Sequence, residues 1–523
     1  MNRLRILILV CFGVIASLAV IMAQENPNPR EEKDPDSSSK KDVMDPDTIR
    51  RLQLHISRLR GLEFKTDLKV GIKQKDELKS KMMEPAEKAS LEDDEKVRKA
   101  LVKLGFVPAD LNLRQFMIDL YVEQIAGFYD SREKELYFVP AREPASEPPD
   151  MLGVPWNIIA TVHEMTHALQ DQNFDLLTLP MDGVINDDLS TAVKSLIEGE
   201  ASFVMYDYAL RQRGLDAVLL SPDVFKPIDG DPFSGRSLID KAPLYIKEGI
   251  SFPYNQGFEF VQYVKARGGW EAIDAIYSDL PSSSEQIIHP EKYFVERDYP
   301  MAITIPDITN VLTTSRWTLL LDNVMGELNI AILKKQFFPT FSSKRMSEGW
   351  DGDKFVLWED QTTQHSLLVW FSTWDSEKDS REFFNAYQKL IAKKYNGASD
   401  EFSNAQLKSK EINKVIWKLE RQVKKQIPNE LVQIIFPFNL WILIKQAEKS
   451  ASDENKKLTA AKTNIISIEQ RGLDVLLIED MPDDLLGGIT QTIWTKVERQ
   501  EQKEVKRITP RKKEEKSEPK KSK

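Results

Sequence analysis

The stretch Trp156–Leu169, WNIIATVHEMTHAL, places two histidines four residues apart. In a helix, positions i and i+4 return to nearly the same face, so His163 and His167 can both direct an imidazole nitrogen at one ion. Glu164 lies beside that ion without having to bind it, and there it can accept a proton from metal-activated water. The run from Trp156 to Val162 has no charged residue, which is typical of a buried helix. The pattern predicts a metal site with Glu164 as the catalytic base.

The composition limits which atoms can hold the metal. The chain of 523 residues has five histidines and one cysteine, Cys11, which lies inside an apolar N-terminal segment. Since the rest of the chain has no thiolate, the ligands must be nitrogen and oxygen donors. A catalytic zinc keeps three protein ligands and leaves one position for water, so a third ligand is expected outside the HExxH run. The sequence therefore predicts one Zn²⁺ per chain.

A second predicted helix, residues 189–214, offers two carboxylates as the third ligand. Glu198 and Glu200 lie about 200° apart around a helix, so only one of them can face the ion. The run EGEA that begins at Glu198 resembles the Glu-Gly-x-Ala pattern of the gluzincin metallopeptidases, which include the thermolysin and aminopeptidase N types. This resemblance implies a zincin-like fold, hydrolysis of peptide bonds and Glu198 as the zinc ligand. The gap of 30 residues between His167 and Glu198 is longer than in either type.

Longer runs are similar to those of uncharacterised bacterial HExxH proteins that are predicted to be secreted. The similarity extends over much of residues 50–490, and it implies an exported protein. The matching runs are HEMTHALQDQ from His163, GFYD from Gly127, SEQIIHPEKY from Ser284 and GWDGD from Gly349. Only the HExxH run and the Glu198 helix bear on the mechanism.

Several other residues are candidates for supporting roles. Peptidases of this type need a hydrogen-bond donor for the oxyanion, and His289 is the predicted catalytic residue for it, with Tyr293 as an alternative. His289 can equally cap a turn before the following proline. Asp171, one turn after His167, can orient a ligand imidazole or be an ordinary surface aspartate. Two histidines without a partner at ligand spacing are predicted to lie outside the site: His55 and His365.

A strand over residues 135–139 comes just before the metal helix and forms a predicted hairpin with Gly127–Asp130. Zincins bind an extended substrate along an exposed strand edge beside the active-site helix. This strand is placed to do so, although the pattern is equally compatible with an interior strand.

The two ends of the chain differ from its body. A short basic start followed by an apolar run predicts a signal peptide over 1–23 or, if it is not cleaved, a membrane anchor. Residues 24–46 are predicted to be a disordered linker and 501–523 a basic disordered tail. The net charge is −10 overall, +2 over 1–23 and +5 over 501–523, which leaves −17 for the body. An acidic body argues against nucleic acid as a partner.

The predicted fold class is α+β. Order is expected to begin near Asp47, as a helix N-cap, and residues 47–299 are assigned to a zincin-like metallopeptidase domain. Residues 300–500 are predicted to be a C-terminal α+β domain or a large extension of the first. Apolar periodicity predicts helices over 91–104, 113–126, 256–268, 270–277, 378–395 and 483–497, and strands over 68–72, 355–358, 367–372 and 473–478.

Three functions are compatible with these features. The first is an exported zinc metallopeptidase, of endo- or exo-type, that acts on a peptide or protein substrate. The second is a non-catalytic envelope protein that keeps the fold as a scaffold and binds protein or cell-wall polymer through residues 300–500. The third is a purely structural zinc site, which would need a fourth protein ligand and no base. Glu164 favours the first, because a scaffold has no use for it.

Overall fold

The computed structural model describes the following residues: 45–74, 77, 91–124, 127–138, 151–181, 186–219, 238–312, 316–338, 346–395 and 464–509. The predicted signal segment 1–23 and nearly all of the linker 24–46 lie outside these ranges. Within them, no helix combines the length and apolar character needed to cross a bilayer. The described elements are helices and small sheets, so the α+β class is confirmed.

The first helix, α1 (Pro46–Arg60), begins two residues earlier than expected. The side chain of Asp45, not of Asp47, accepts a hydrogen bond from the Thr48 backbone at 3.0 Å and caps the helix. The helix ends at Gly61, whose φ of 76° is a left-handed conformation that glycine adopts without steric penalty. The next elements are β1 (Lys69–Ile72), α2 (Leu91–Leu104), α3 (Leu113–Gln124), β2 (Gly127–Asp130) and β3 (Glu135–Phe138).

A three-stranded sheet has the order β1-β3-β2. The central strand β3 pairs parallel with β1 and antiparallel with β2. The strand over 135–138 is therefore interior, and β2 occupies the edge of the sheet. β2 packs against the following helix, α4 (Trp156–Phe174), which carries the HExxH run.

Three helices follow the HExxH helix α4, and two of them are long. After α4 come α5 (Asp187–Arg211), the short α6 (Leu238–Lys241) and α7 (Leu244–Ile276). α7 joins the two helices predicted over 256–268 and 270–277, with a break in helical geometry at Gly269. α5 and α7 cross closely at Gly199 and Gly257, where a Cβ on either residue would clash with the backbone of the other helix. Because these two glycines have no side chain, the backbones of α5 and α7 can approach each other closely.

The second half of the chain forms an antiparallel five-stranded sheet in the order β5-β6-β7-β9-β8. The predicted strands 355–358, 367–372 and 473–478 are confirmed as parts of β6, β7 and β9. The elements are α8 (Ser284–Ile288), α9 (Pro290–Phe294), β4 (Met301–Thr304), α10 (Thr309–Leu312), β5 (Trp317–Asn323), α11 (Gly326–Phe337), β6 (Trp350–Asp360), β7 (Ser366–Trp374), α12 (Glu377–Tyr395), β8 (Asn464–Arg471), β9 (Asp474–Pro482), α13 (Asp483–Lys496) and β10 (Glu498–Glu501).

Alternating residues of the five-stranded sheet enter two different cores. Leu368 and Trp370 belong to one large hydrophobic cluster that also contains Ile159 of α4 and Phe260 of α7. Val369, on the opposite face, packs in a smaller cluster beneath α13. The predicted boundary near residue 299 thus marks a change from helices to sheet, and the two parts share one core.

The C-terminal segment is ordered further than the sequence suggested. The predicted disordered tail began at residue 501, but β10 pairs antiparallel with β4 through Glu501. Beyond it, the Ile508 backbone N–H donates to the Thr178 carbonyl at 2.7 Å. Disorder was predicted from the high charge of this segment, and charge gives no information about backbone pairing. Residues 510–523 of the predicted tail lie outside the described residues.

Candidate metal centre

Three buried donor atoms converge between α4 and α5. The Nε2 atoms of His163 and His167 are 3.0 Å apart, and they lie 3.2 and 3.4 Å from Oε2 of Glu198. All three side chains are almost completely buried, with at most 2% of any of them exposed. The structure thus brings together all three residues that the sequence predicted as zinc ligands.

The spacing of these donors fits a tetrahedral ion. Ligands held about 2.0–2.1 Å from one zinc ion in tetrahedral geometry lie about 3.3 Å from each other, close to the three separations seen here. The second carboxylate oxygen of Glu198, Oε1, is buried and has no hydrogen-bond partner within the described residues. A buried carboxylate oxygen without a donor is costly, and a cation in this position would offset that cost. The residues present therefore fit a zinc ion.

The electrostatics of the cluster also suit a cation. Burial lowers the pKa of the His163 imidazole to about 4. Burial also opposes charging of His167, but the Glu198 and Glu164 carboxylates outweigh it and raise the pKa of His167 to about 9. Against its own burial, Glu198 has a lowered pKa because both histidines favour its ionised form. Metal binding would replace the proton held between His167 and Glu198.

Glu164 lies beside the three donors without joining them. Its Oε2 atom accepts a hydrogen bond of 2.9 Å from the backbone N–H of Tyr129 on β2. Its Oε1 atom is buried without a partner among the described residues. Burial raises the pKa of this carboxyl to about 7, and the nearby charge of Glu198 acts in the same direction. A carboxylate with one oxygen free and a pKa near neutrality is suited to proton transfer.

The structure distinguishes the two glutamates of α5. Glu200 points away from the donor cluster and accepts hydrogen bonds from Arg60 Nε and the Tyr277 hydroxyl, both at 2.6 Å. Of the two alternatives for the third ligand, only Glu198 reaches the histidines.

The predicted catalytic role of His289 is not supported by its position. His289 lies at the junction of α8 and α9, where it ends one helix and begins the next, and its Nε2 lies 3.2 Å from a carboxylate oxygen of Glu327. The alternative residue, Tyr293, donates its hydroxyl to the Asp279 carbonyl. Among the described contacts, neither residue reaches the three donors. The turn-capping alternative describes His289 better.

Asp171 has a different role from the one considered. It accepts hydrogen bonds from the Tyr129 hydroxyl, the Lys134 ammonium group and the Leu176 backbone. These contacts attach the β2–β3 hairpin to the end of α4, and they place Asp171 neither on a ligand imidazole nor at the surface. The group beside a ligand imidazole is Gln170, whose Oε1 lies 2.9 Å from Nδ1 of His167.

Sequence reasoning missed two other neighbours of the site. Tyr254 on α7 stacks against the His163 ring, with the ring centroids 5.9 Å apart. Tyr129 supplies the backbone N–H that holds Glu164. No spacing rule could find either one, because both come from elements distant in the chain. His55, beside Tyr208, and His365, in the turn after β6, lie outside the cluster as predicted.

A second group of carboxylates forms ion pairs with a lysine of the protein. Glu285, Asp298 and Asp375 surround the Lys292 ammonium group, with N–O distances of 2.6 to 3.0 Å. The ammonium group occupies the position that a metal ion would take, so this group is not assigned to a metal.

Comparison with known proteins covers only the sheet region. A family model described as Domain of unknown function (DUF8575) matches residues 317–422. This match begins at β5 and runs past α12, and it does not include the donor cluster. No curated protein matches the chain significantly. No solved structure does so either.

Proposed function

We propose that the protein is an exported zinc metallopeptidase that hydrolyses peptide bonds, with residues 47–299 as a zincin-like catalytic domain. The observation that carries the proposal is the convergence of His163, His167 and Glu198 with Glu164 beside them, buried and unligated. A structural zinc site would use four protein ligands, whereas the described residues provide three.

Each residue has a defined task in this proposal. His163, His167 and Glu198 would hold the zinc ion. The ion supplies a Lewis acid that makes water acidic enough to lose a proton near neutral pH. Glu164 accepts that proton on Oε1, since Oε2 is held by the Tyr129 backbone, and then passes it to the leaving amine. Tyr254, beside His163, replaces His289 as the side chain to test for stabilisation of the oxyanion.

The position of β2 suits an extended peptide substrate. β2 is an edge strand, and Tyr129, in its middle, donates its backbone N–H to the proposed base. A peptide that paired with this edge would have its backbone beside Glu164. The substrate-binding strand is therefore β2, in place of the interior strand β3 that the sequence suggested.

Metal analysis and a digest test the proposal together. Purified protein should retain about one zinc per chain and should cleave casein or a peptide library, and a chelator should stop the cleavage. The His163→Ala, His167→Ala double variant is the control and should hold no stoichiometric zinc. Full zinc content in that variant would overturn the metal site. Cleavage unaffected by chelator would overturn the zinc mechanism.

Export depends on residues 1–23, which lie outside the described structure. A reporter fused after Lys523 should be active on the far side of the cytoplasmic membrane. Activity of the fusion only in the cytoplasm would contradict the proposed location.

A further inference from the structure

One residue of β2, Tyr129, contacts the metal helix α4 at two separate points. Its backbone N–H donates to Oε2 of Glu164 at 2.9 Å, and its hydroxyl donates to Oδ2 of Asp171 at 2.7 Å. Glu164 and Asp171 are seven residues apart in the chain. They therefore lie on the same face of the helix, about two turns or about 10 Å from each other. Tyr129 thus connects the proposed base to the C-terminal part of α4.

Asp171 accepts two further hydrogen bonds. Lys134, in the turn between β2 and β3, donates its ammonium group to the same Oδ2 at 2.6 Å. The backbone N–H of Leu176, just after α4, donates to Oδ1 at 3.1 Å. The Asp171 side chain is fully buried, and a hydrogen bond between two charged groups is stronger than one between neutral groups. The turn of the hairpin and the chain that follows α4 are therefore held by one carboxylate.

The backbone of Lys134 is strained. Its φ of 56° lies in the left-handed region, which is unfavourable for a residue with a Cβ. Such conformations persist where the surrounding contacts fix them, and they are concentrated at functional sites. A glycine would relieve this strain, but it could not supply the ammonium group that reaches Asp171. The ion pair explains why a lysine occupies this position of the turn.

We propose that the Tyr129 hydroxyl, the Lys134 ammonium group and the Asp171 carboxylate form a clasp that positions β2, and with it the Glu164 carboxylate, for catalysis. The clasp rests on the proposed function, because Glu164 is a base and β2 a substrate-binding strand only in a peptidase. Among the described contacts, Asp171 touches neither Glu164 nor the three metal donors. It is therefore a positioning residue, which acts on Glu164 through Tyr129.

The clasp matters because one strand has two tasks in the proposed mechanism. The edge of β2 would hold the peptide, and the Tyr129 backbone N–H holds the base. A displacement of the hairpin would change the distance between Glu164 and the bond to be cleaved. A displacement of about 1 Å can lower turnover about 10²-fold, even when the substituted residue is distant from the reacting atoms.

The main test is Asp171→Asn in the zinc-loaded full-length protein, with Asp207→Asn as its matched control. Asp207, on α5, is buried to a similar extent. It also accepts from one cation, Arg211 at 2.8 Å, and from one backbone N–H beyond its helix, that of Ala217 at 3.1 Å. The two substitutions therefore remove similar interactions, and only the first of them concerns the hairpin.

A second pair keeps the test decisive if Asp171→Asn does not fold. Tyr129→Phe removes the hydroxyl of the clasp and keeps the backbone N–H that holds Glu164. Its control is Tyr137→Phe on the neighbouring strand β3, which removes a hydroxyl that donates to Glu135 at 2.8 Å.

The readouts are hydrogen–deuterium exchange of the β2 segment by mass spectrometry, zinc content, and kcat and KM for a peptide. Asp171→Asn and Tyr129→Phe should speed exchange in β2 and lower kcat about 10-fold to 10²-fold, with a smaller change in KM and with zinc content unchanged. Asp207→Asn should lower the melting temperature about as much as Asp171→Asn does. Both controls should keep the exchange and kcat of wild type.

Equal exchange of β2 and equal kcat in each variant and its control would overturn the clasp. Faster exchange with a wild-type kcat would overturn its positioning role. A zinc-loaded wild type that cleaves no peptide would overturn the proposed function, and the exchange of β2 alone would then show whether the clasp holds the hairpin.

Discussion

Buried carboxylates differ in their hydrogen bonding between the sheet region and the helical region. In the sheet region, Asp353 on β6 is 1% exposed and accepts four hydrogen bonds. Its donors are the backbone N–H groups of Met325 and Gly326 and the indole N–H groups of Trp350 and Trp370, at 2.9 to 3.0 Å. This carboxylate is fully occupied and joins α11 to two strands.

In the helical region, Glu164 and Glu198 are buried to a similar extent, yet each has one oxygen without a partner in the described residues. Buried polar groups are normally hydrogen-bonded, so an exception needs an explanation. The contrast shows that burial alone does not define a site. Asp353 stabilises the fold, whereas the partnerless oxygens of Glu164 and Glu198 are the atoms to which the proposed function gives a proton and an ion.

The largest expected effect is the loss of stability on removal of the Asp353 carboxylate. Asp353→Ala leaves four buried donors unpaired, and each costs about 1–3 kcal/mol, so the free energy of unfolding should fall by at least about 4 kcal/mol. Urea denaturation measures it. The control is Asp322→Ala on β5, whose 3.3 Å contact with Lys354 is partly exposed to solvent and should contribute about 1 kcal/mol or less. Similar losses in the two variants would contradict the role given to Asp353.

Asp188, near the start of α5, is intermediate between Asp353 and the two glutamates. It is buried and accepts a hydrogen bond from the Ser284 backbone. Burial raises its pKa from 3.8 to about 7. The folded state therefore binds more protons than the unfolded state, and stability falls as the pH rises from about 4 to about 7. A shift of this size corresponds to on the order of 4 kcal/mol.

Asp188→Asn removes this titration and can keep the bond to Ser284. The variant should lose less stability than wild type between pH 4 and pH 7, as measured by thermal unfolding at each pH. Parallel pH profiles for the two proteins would show that Asp188 does not titrate in this range.

Glu198 and Glu200 allow the same comparison of two buried carboxylates within one helix, α5. Glu200→Gln leaves the buried Arg60 charge with a weakened partner and should cost about 3 kcal/mol of stability, while stoichiometric zinc is kept. Glu198→Gln should abolish stoichiometric zinc and cost less stability than Glu200→Gln. Zinc content and denaturation midpoints measured on both variants check this. Loss of zinc from Glu200→Gln but not from Glu198→Gln would reverse the assignment.

The smallest expected effect concerns the C-terminal segment. Arg507 donates to the Phe174 carbonyl at the end of α4 and to the Tyr277 carbonyl at the end of α7. A cation at helix C-termini is favourable, so Arg507→Ala should lower stability by about 1 kcal/mol. Its neighbour Lys506 is exposed and serves as the control. Equal melting temperatures for Arg507→Ala and Lys506→Ala would show that the segment does not secure the helices.

The sequence predicted the parts of this account that depend on local periodicity. The i, i+4 spacing located His163 and His167, and short apolar runs located strands within β6, β7 and β9. The choice of Glu198 came from a resemblance, and the structure agrees with it because Glu200 is occupied elsewhere. Long-range pairs gave no local signal, and the buried Arg60–Glu200 contact joins residues 140 positions apart.

Two alternatives that the sequence left open depend on contacts between residues distant in the chain. His289 was a candidate because peptidases of this type need a hydrogen-bond donor for the oxyanion, and no local pattern revealed its partner Glu327, 38 residues away. The strand over 135–139 was a possible edge, because four-residue strands do not reveal their neighbours. Strand order in the small sheet depends on β1, more than 60 residues earlier, which pairs along the other side of β3.

The most direct measurement is zinc content and peptide cleavage of Glu164→Gln beside wild type. The change is nearly isosteric and leaves His163, His167 and Glu198 in place, so the variant should fold and hold about one zinc per chain. Loss of general acid–base assistance should lower the cleavage rate by at least about 10²-fold, and mass spectrometry of a peptide library should find cuts made only by wild type. Wild-type cleavage rates in the zinc-loaded variant would contradict the proposed mechanism.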